Sequence, residues 1–108
     1  MDHWRLAEVV ETTIIVERLA QAIGVDEDEV VLKGVGALIR SELRKVYAES
    51  MEIKQRYGVE SADEMDESYQ RGVLAEEHSW RDYFRLCHLE ERREVLEELL
   101  SESWRRVK

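Results

Sequence analysis

An apolar heptad repeat between residues 32 and 57 constrains the fold of this chain more than any other feature. Large apolar residues recur there in steps of seven, four and three: Leu32, Ile39, Leu43, Val46, Ile53 and Tyr57. Gly36 and Ser50 occupy the remaining seam positions, where small side chains let a neighbouring helix come close. The chain contains no proline that would interrupt the pattern. The repeat predicts a helix over residues 27–57 with one face packed against another helix.

Three further helices are predicted, one before this helix and two after it. Apolar residues at three- and four-residue spacing predict a first helix over residues 3–23. Residues 9–16 are rich in β-branched side chains, so a strand is the competing prediction there. Ser61 and Glu64 form a capping box that opens a short helix over residues 62–70. The last helix covers residues 79–105, and Gly24, Gly58 and Gly72 end the helices before their turns.

These elements predict one all-α domain over residues 1–108. Its simplest architecture is a long antiparallel helical hairpin, with the short helix at the turn and the N-terminal helix packing on the flank. Such an arrangement encloses a thin core, and tryptophans are costly to leave in water. We therefore expect a homodimer that shares its core. The residues expected in the core or at the dimer interface are Trp4, Ile39, Leu43, Val46, Ile53, Trp80, Leu89, Leu96, Leu100 and Trp104.

Negative charge is concentrated in the middle of the chain. The formal net charge is -9, and residues 60–82 carry 8 acidic and 2 basic residues. The chain lacks the stripe of Lys and Arg with which proteins neutralise nucleic-acid phosphates, so a nucleic-acid partner is not expected. The acidic segment is either a solvated surface or a docking patch for a basic protein partner. The candidates for the docking patch are Asp63, Glu64, Asp66, Glu67, Glu76 and Glu77.

The composition predicts a cytoplasmic protein that is not inserted in a membrane. Cys87 is the single cysteine, which precludes an intramolecular disulfide and suits a reducing compartment. No apolar run approaches the ~20 residues of a membrane span, and the N-terminus does not resemble a signal peptide. The many Glu and Arg residues resemble the composition of thermophile proteins.

Residues suited to catalysis or metal binding occur without a supporting pattern. Neither His78 nor His88 has a glutamate three residues before it, as a di-iron helix requires. Cys87 and His88 point about 100° apart on a helix and cannot easily share one ion. A helical pyrophosphohydrolase would follow Glu-Glu-x-x-Glu, present at residues 90–94, with Glu-x-x-Asp, which is missing. We therefore expect no enzyme activity, no cofactor and no metal.

A DNA-binding alternative rests on residues 19–30. This segment resembles the helix–turn–helix part of ribbon–helix–helix repressors, which read the major groove with a strand preceding the first helix. Residues 12–16, Thr-Thr-Ile-Ile-Val, would have to form that strand.

Several short motifs carry a resemblance to a known group of proteins. They are Arg56-Tyr57-Gly58-Val59, the Ser61 cap, Arg71-Gly72-Val73 and the segment Glu77-His78-Ser79-Trp80-Arg81-Asp82-Tyr83. Together they resemble small prokaryotic proteins of unknown function that are often encoded beside putative toxins. Ser79 stands where that group often has proline, and Arg81 where it usually has glutamate. The bends alone also account for the motifs, with Trp80 as a plug under the turn.

The resemblance implies an antitoxin-like protein that neutralises a partner, and it supplies no catalytic residues. Our functional hypothesis is a homodimeric helical protein that binds another protein, for example a basic toxin. Apolar helix contacts would hold the complex together, and the acidic segment would steer a basic partner.

Overall fold

The computed structural model describes the backbone of residues 3–107 and the side chains of residues 10–106. Four helices follow one another: α1 His3–Ile23, α2 Glu27–Tyr57, α3 Ala62–Gln70 and α4 Trp80–Val107. The described part of the chain contains no strand. The all-α prediction is confirmed, and α4 begins one residue later and ends two residues later than predicted. Residues 9–16 lie inside α1, so helical spacing overrides their β propensity.

The chain divides into two compact units. The first, called unit 1, contains α1, the start of α2 up to Leu38 and the end of α4 from Ser101. The second, called unit 2, is Ile39–Leu100. In unit 1, α1 lies on the flank of the α2 start and the α4 end.

Unit 2 is an antiparallel hairpin of α2 and α4 with α3 at its bend. Arg56 of α2 pairs with Asp82 of α4 near the bend. Farther from the bend, Glu49 pairs with Arg85. The residue numbers therefore rise along α2 as they fall along α4. These exposed ion pairs contribute little free energy each, but they define the direction of the hairpin.

The apolar core of unit 2 contains residues from α2, α3 and α4 and the turn between α2 and α3. Met65 of α3 and Leu86 of α4 are completely buried in it. The other buried members are Val46, Ile53, Val59, Ala62 and Leu89. The short helix therefore closes the end of the hairpin with Met65, because its side chain lies between the two long helices.

The turns between the helices depend on glycine. Gly24, Gly58 and Gly72 adopt φ values of 73°, 64° and 71°, a backbone conformation that disfavours side chains. All three glycines had been predicted to end helices. Their backbone conformation confirms that prediction.

The residues predicted for the core or a dimer interface differ in exposure. Ile39, Leu43, Val46, Ile53 and Leu89 are buried, while Leu96 and Leu100 are half-buried. Trp80 and Trp104 are 47% and 53% exposed. The expectation that Trp80 plugs the turn is therefore wrong, because Met65 and Tyr69, and not Trp80, pack in the core cluster of unit 2. Trp4 lies outside the residues whose side chains the structure describes.

Candidate protein-docking site at the bend

The bend brings together two of the sequence motifs noted above. Asp82, from the segment that opens α4, accepts hydrogen bonds from Arg56 Nη1 at 2.8 Å and from the Tyr57 hydroxyl at 2.5 Å. The Tyr57 hydrogen bond, followed by that of Arg56, lowers the pKa of Asp82, although partial burial opposes the effect. The start of α4 is thereby attached to the end of α2.

Side chains accept hydrogen bonds from two backbone donors at the N-terminus of α3. Glu64 N–H donates to Ser61 Oγ at 3.1 Å, as the capping box predicted. The Glu64 carboxylate accepts from the N–H of Glu60 at 3.0 Å, one residue before the usual position. Ala62 N–H donates to Glu90 Oε2 of α4 at 2.9 Å. Glu90, the first residue of the Glu-Glu-x-x-Glu segment, therefore has a structural role.

Four aromatic rings form a continuous row from α3 onto α4, which we call the aromatic row. The ring centroids of Tyr69 and Tyr83 lie 5.7 Å apart, and those of Tyr83 and Phe84 lie 5.4 Å apart. Trp80 meets Phe84 edge to face at 6.1 Å. The two tyrosines are half-buried, but Phe84 is 55% exposed and Trp80 is 47% exposed. The row therefore presents a rigid aromatic pair to solvent.

Hydrogen bonds hold the buried end of the aromatic row in place. The Tyr69 hydroxyl and Ser79 Oγ lie 2.6 Å apart, and Ser79 also donates to the carbonyl of Ala75 at 2.7 Å. Ser79 is buried directly before Trp80. The serine at this position, where the resembling proteins often have proline, therefore connects α3 to the first turn of α4.

Carboxylates lie close to the aromatic row. The pKa of Tyr83 is raised to about 12, first by its hydrogen bond with the Cys87 thiol and by burial, and then by the negative charges of Asp66 and Asp63. Glu77 lines the same shallow depression as Trp80. The Arg81 guanidinium lies 5.3 Å from the centroid of the Trp80 ring, a cation–π contact.

The six acidic residues predicted for partner binding differ in whether their carboxylates are exposed or engaged in hydrogen bonds within the chain. Glu64 is occupied with the α3 cap, and Asp66 accepts a hydrogen bond from Gln70 at 3.0 Å. The other four carboxylates are exposed: Asp63, Glu67, Glu76 and Glu77. These four are the members of the predicted patch whose side chains a partner can reach directly.

Comparisons with known proteins bear on the whole chain. A protein-family model described as "Uncharacterized protein MJ0235 family" matches residues 8–105. The chain belongs to this family. Searches of curated proteins and of solved structures found no match. The match supports the expectation of a small protein from an uncharacterised family.

In this MJ0235-family protein, histidine, cysteine and carboxylate side chains are dispersed. Within the described residues, no group of three or more of them is positioned to hold a metal ion. His78 and His88 are exposed, and Cys87 is half-buried beside Tyr83. No helix over residues 3–107 is both long and apolar enough to cross a membrane.

Sequence reasoning missed three structural contacts of this family member: Asp82 with Tyr57, Glu90 with the α3 N-terminus, and Ser79 with Tyr69. Each contact joins residues at least ten positions apart, so helical periodicity contains no information about it. Arg56, Tyr57 and Asp82 nevertheless belonged to the motifs that carried the resemblance. Their presence in those motifs was the available signal.

Proposed function

We propose that this MJ0235-family protein is a binding protein that uses the bend of its hairpin to dock a basic protein partner. The observation that carries the proposal is the exposed Trp80–Phe84 pair beside exposed carboxylates. Tryptophan, tyrosine and arginine dominate the energetic centres of protein interfaces, and charges around them steer the encounter. Lys or Arg side chains of a partner would find both carboxylates and aromatic faces here.

The more specific form of the proposal is an antitoxin-like neutraliser. Support comes from the resemblance of the motif segments to proteins often encoded beside putative toxins. The partner would then be a basic toxin whose active surface is covered when it docks at the bend. The rigid base of the aromatic row favours tight binding, because Tyr69, Ser79 and Met65 hold it before the partner arrives.

The test begins with the protein that co-purifies with the tagged chain from its native host. Its affinity is measured against the parent chain and the double variant Trp80→Ala/Phe84→Ala. Loss of two central aromatic anchors should weaken binding by about 30-fold or more. Met51→Ala/Val95→Ala removes two similarly exposed apolar side chains that are not part of the aromatic row and is the matched control. Equal affinity of the aromatic double variant and the parent would contradict the proposal.

The steering role has its own experiment. Glu76→Lys/Glu77→Lys should slow association roughly tenfold at low salt and reduce its salt dependence, because the attractive field is reversed. Glu91→Lys/Glu94→Lys makes the same change of net charge on exposed positions of α4. If both charge reversals slow association equally, net charge rather than this site attracts the partner.

The antitoxin form has a growth experiment. Cell growth is measured while the product of the adjacent gene is expressed together with the parent chain or with Trp80→Ala/Phe84→Ala. Rescue by the parent alone is expected, and rescue by both would sink the antitoxin form.

The ribbon–helix–helix alternative finds no support in the local structure. Residues 12–16 would have to form the strand that enters the major groove. They lie inside α1. The described part of the chain thus lacks the element that would read DNA in that class of repressor.

A further inference from the structure

Apolar side chains are distributed unevenly between the two units. Of the ten buried hydrophobic residues among residues 10–106, nine belong to unit 2 and only Ala20 belongs to unit 1. Unit 1 instead exposes nine large apolar side chains: Val10, Ile14, Ile15, Leu19, Ile23, Val31, Val35, Leu38 and Trp104. Each of these is 44% to 66% exposed. Unit 1 therefore presents the apolar surface of a core without the cover that a core requires.

The α1 helix is apolar on opposite sides. At 100° per residue, Val10 and Ile14 lie within 40° of each other, and Leu19 lies about 180° from Val10. These side chains are 56%, 46% and 47% exposed. A helix that is apolar all round is normally buried on all sides. Helices of the same chain cover the side that includes Ala20, which is 4% exposed.

A second uncovered surface lies at the start of α2. Val31, Val35 and Leu38 follow one another at steps of four and three residues, so they form a single stripe. Their exposed fractions are 48%, 44% and 63%. Such a stripe is the seam along which two helices pack side by side.

Unit 1 also carries both signs of charge, as a surface that meets its own copy requires. The start of α2 has four consecutive acidic residues at positions 26–29, and the end of α4 has Arg105 and Arg106. Asp28 and Arg106 line one depression of the chain, so negative and positive side chains lie side by side on this surface. A surface of that kind can match its own copy, because a two-fold axis would bring the acidic end of one copy to the basic end of the other, with each contact made twice.

We infer that a second copy of the chain covers the apolar surface of unit 1 and makes the protein a two-fold symmetric homodimer. Nine half-exposed side chains supply several hundred Å² on each copy, on the order of the ~800 Å² per partner of a stable interface. The two copies of α1 and of the α2 stripe would complete the core that one chain leaves open. This interface uses residues of unit 1, whereas the docking site at the bend uses residues of unit 2.

The test is the mass of the purified full chain in solution. Sedimentation equilibrium from low to high micromolar concentration should give twice the mass of the chain. A monomer throughout that range would overturn the inference, and this reading requires no variant. A trimer or larger closed ring would overturn it as well, because a two-fold axis relates two copies.

Two variants then locate the interface. Val35→Glu/Leu38→Glu places charges on the α2 stripe and should weaken dimerisation by at least tenfold. Val73→Glu/Val95→Glu introduces the same two charges at residues that are 76% and 56% exposed in unit 2 and should leave the dimer unchanged. If the stripe variant loses helical circular dichroism, Arg105→Glu/Arg106→Glu tests the same interface by charge alone and should also weaken the dimer. A dimer that withstands both unit 1 variants would place the interface elsewhere and refute the inference.

Discussion

At the scale of single residues, Asp82 is the side chain on which the bend depends most. It connects α4 to α2 through two hydrogen bonds whose donors, Arg56 and Tyr57, are adjacent in sequence. A carboxylate that accepts a phenol and a guanidinium is more stable ionised than protonated, and this is why its pKa falls. The same charged acceptor positions the first turn of α4, which carries Trp80.

Replacement of Asp82 should therefore destabilise the fold in a pH-dependent way. Asp82→Asn should cost about 1–2 kcal/mol in the free energy of unfolding at pH 7, because it weakens charge-assisted hydrogen bonds. The pKa of Asp82 is lower in the folded than in the unfolded chain, so its stabilisation is present above about pH 4 and is lost as the pH falls. Urea unfolding at a series of pH values checks this. Glu49→Gln, which breaks the exposed pair with Arg85, should cost less than about 1 kcal/mol. A loss for Asp82→Asn that stayed constant down to pH 2 would contradict the assignment.

At the scale of helices and turns, most of the architecture could be predicted. Helical spacing, capping residues and glycines determine where an element starts and stops, and all of these act within a few residues. The observed bounds of α1, α2 and α3 accordingly coincide with the predicted ones. Which side chain is buried at the bend could not be predicted, because the choice between Met65 and Trp80 depends on how α3 and α4 meet in space. For the same reason the contacts of the aromatic row could not be predicted, although the sequence contains each of its residues.

Two glycine substitutions should have opposite effects. Gly58 has a φ of 64°, and no atom lies within 4 Å of where a Cβ would be placed. Gly58→Ala should therefore destabilise the protein by about 1–2 kcal/mol through backbone strain alone. Gly34 lies inside α2 with the same open surroundings. Gly34→Ala should stabilise the chain by about 0.5–1 kcal/mol at a concentration where it is monomeric, because alanine favours the helix. Thermal unfolding of both variants measures these effects. If both substitutions shift the unfolding temperature in the same direction, the positive φ of Gly58 does not determine the stability of that turn.

At the scale of the whole molecule, the two units differ in how they are stabilised. Unit 2 buries most of the apolar surface and contains the polar contacts of the bend, so it has its own sources of stability. Among the side chains that the structure describes, Ala20 is the one buried hydrophobic residue of unit 1. If a second copy supplies the cover, the stability of unit 1 rises with protein concentration, as for any folded state that is linked to binding.

Amide hydrogen exchange should reveal this difference. The slowest amides are expected within residues 43–53 and 86–96, which surround the buried core of unit 2. Amides of α1 should exchange faster, and their rates should fall as protein concentration rises. Protection of α1 that equals that of the hairpin at high dilution would contradict this order. The hairpin amides are the internal reference, because they should remain the slowest to exchange at every concentration.

The half-buried thiol beside Tyr83 has a practical consequence. Cys87 is the only sulfhydryl in the chain, and its neighbour in the aromatic row restrains it. Because the side chain is partly buried against the core, a reagent that alkylates thiols should reach it faster when the hairpin opens. The rate of that single modification therefore reports local opening of the hairpin, with no label added and no residue replaced.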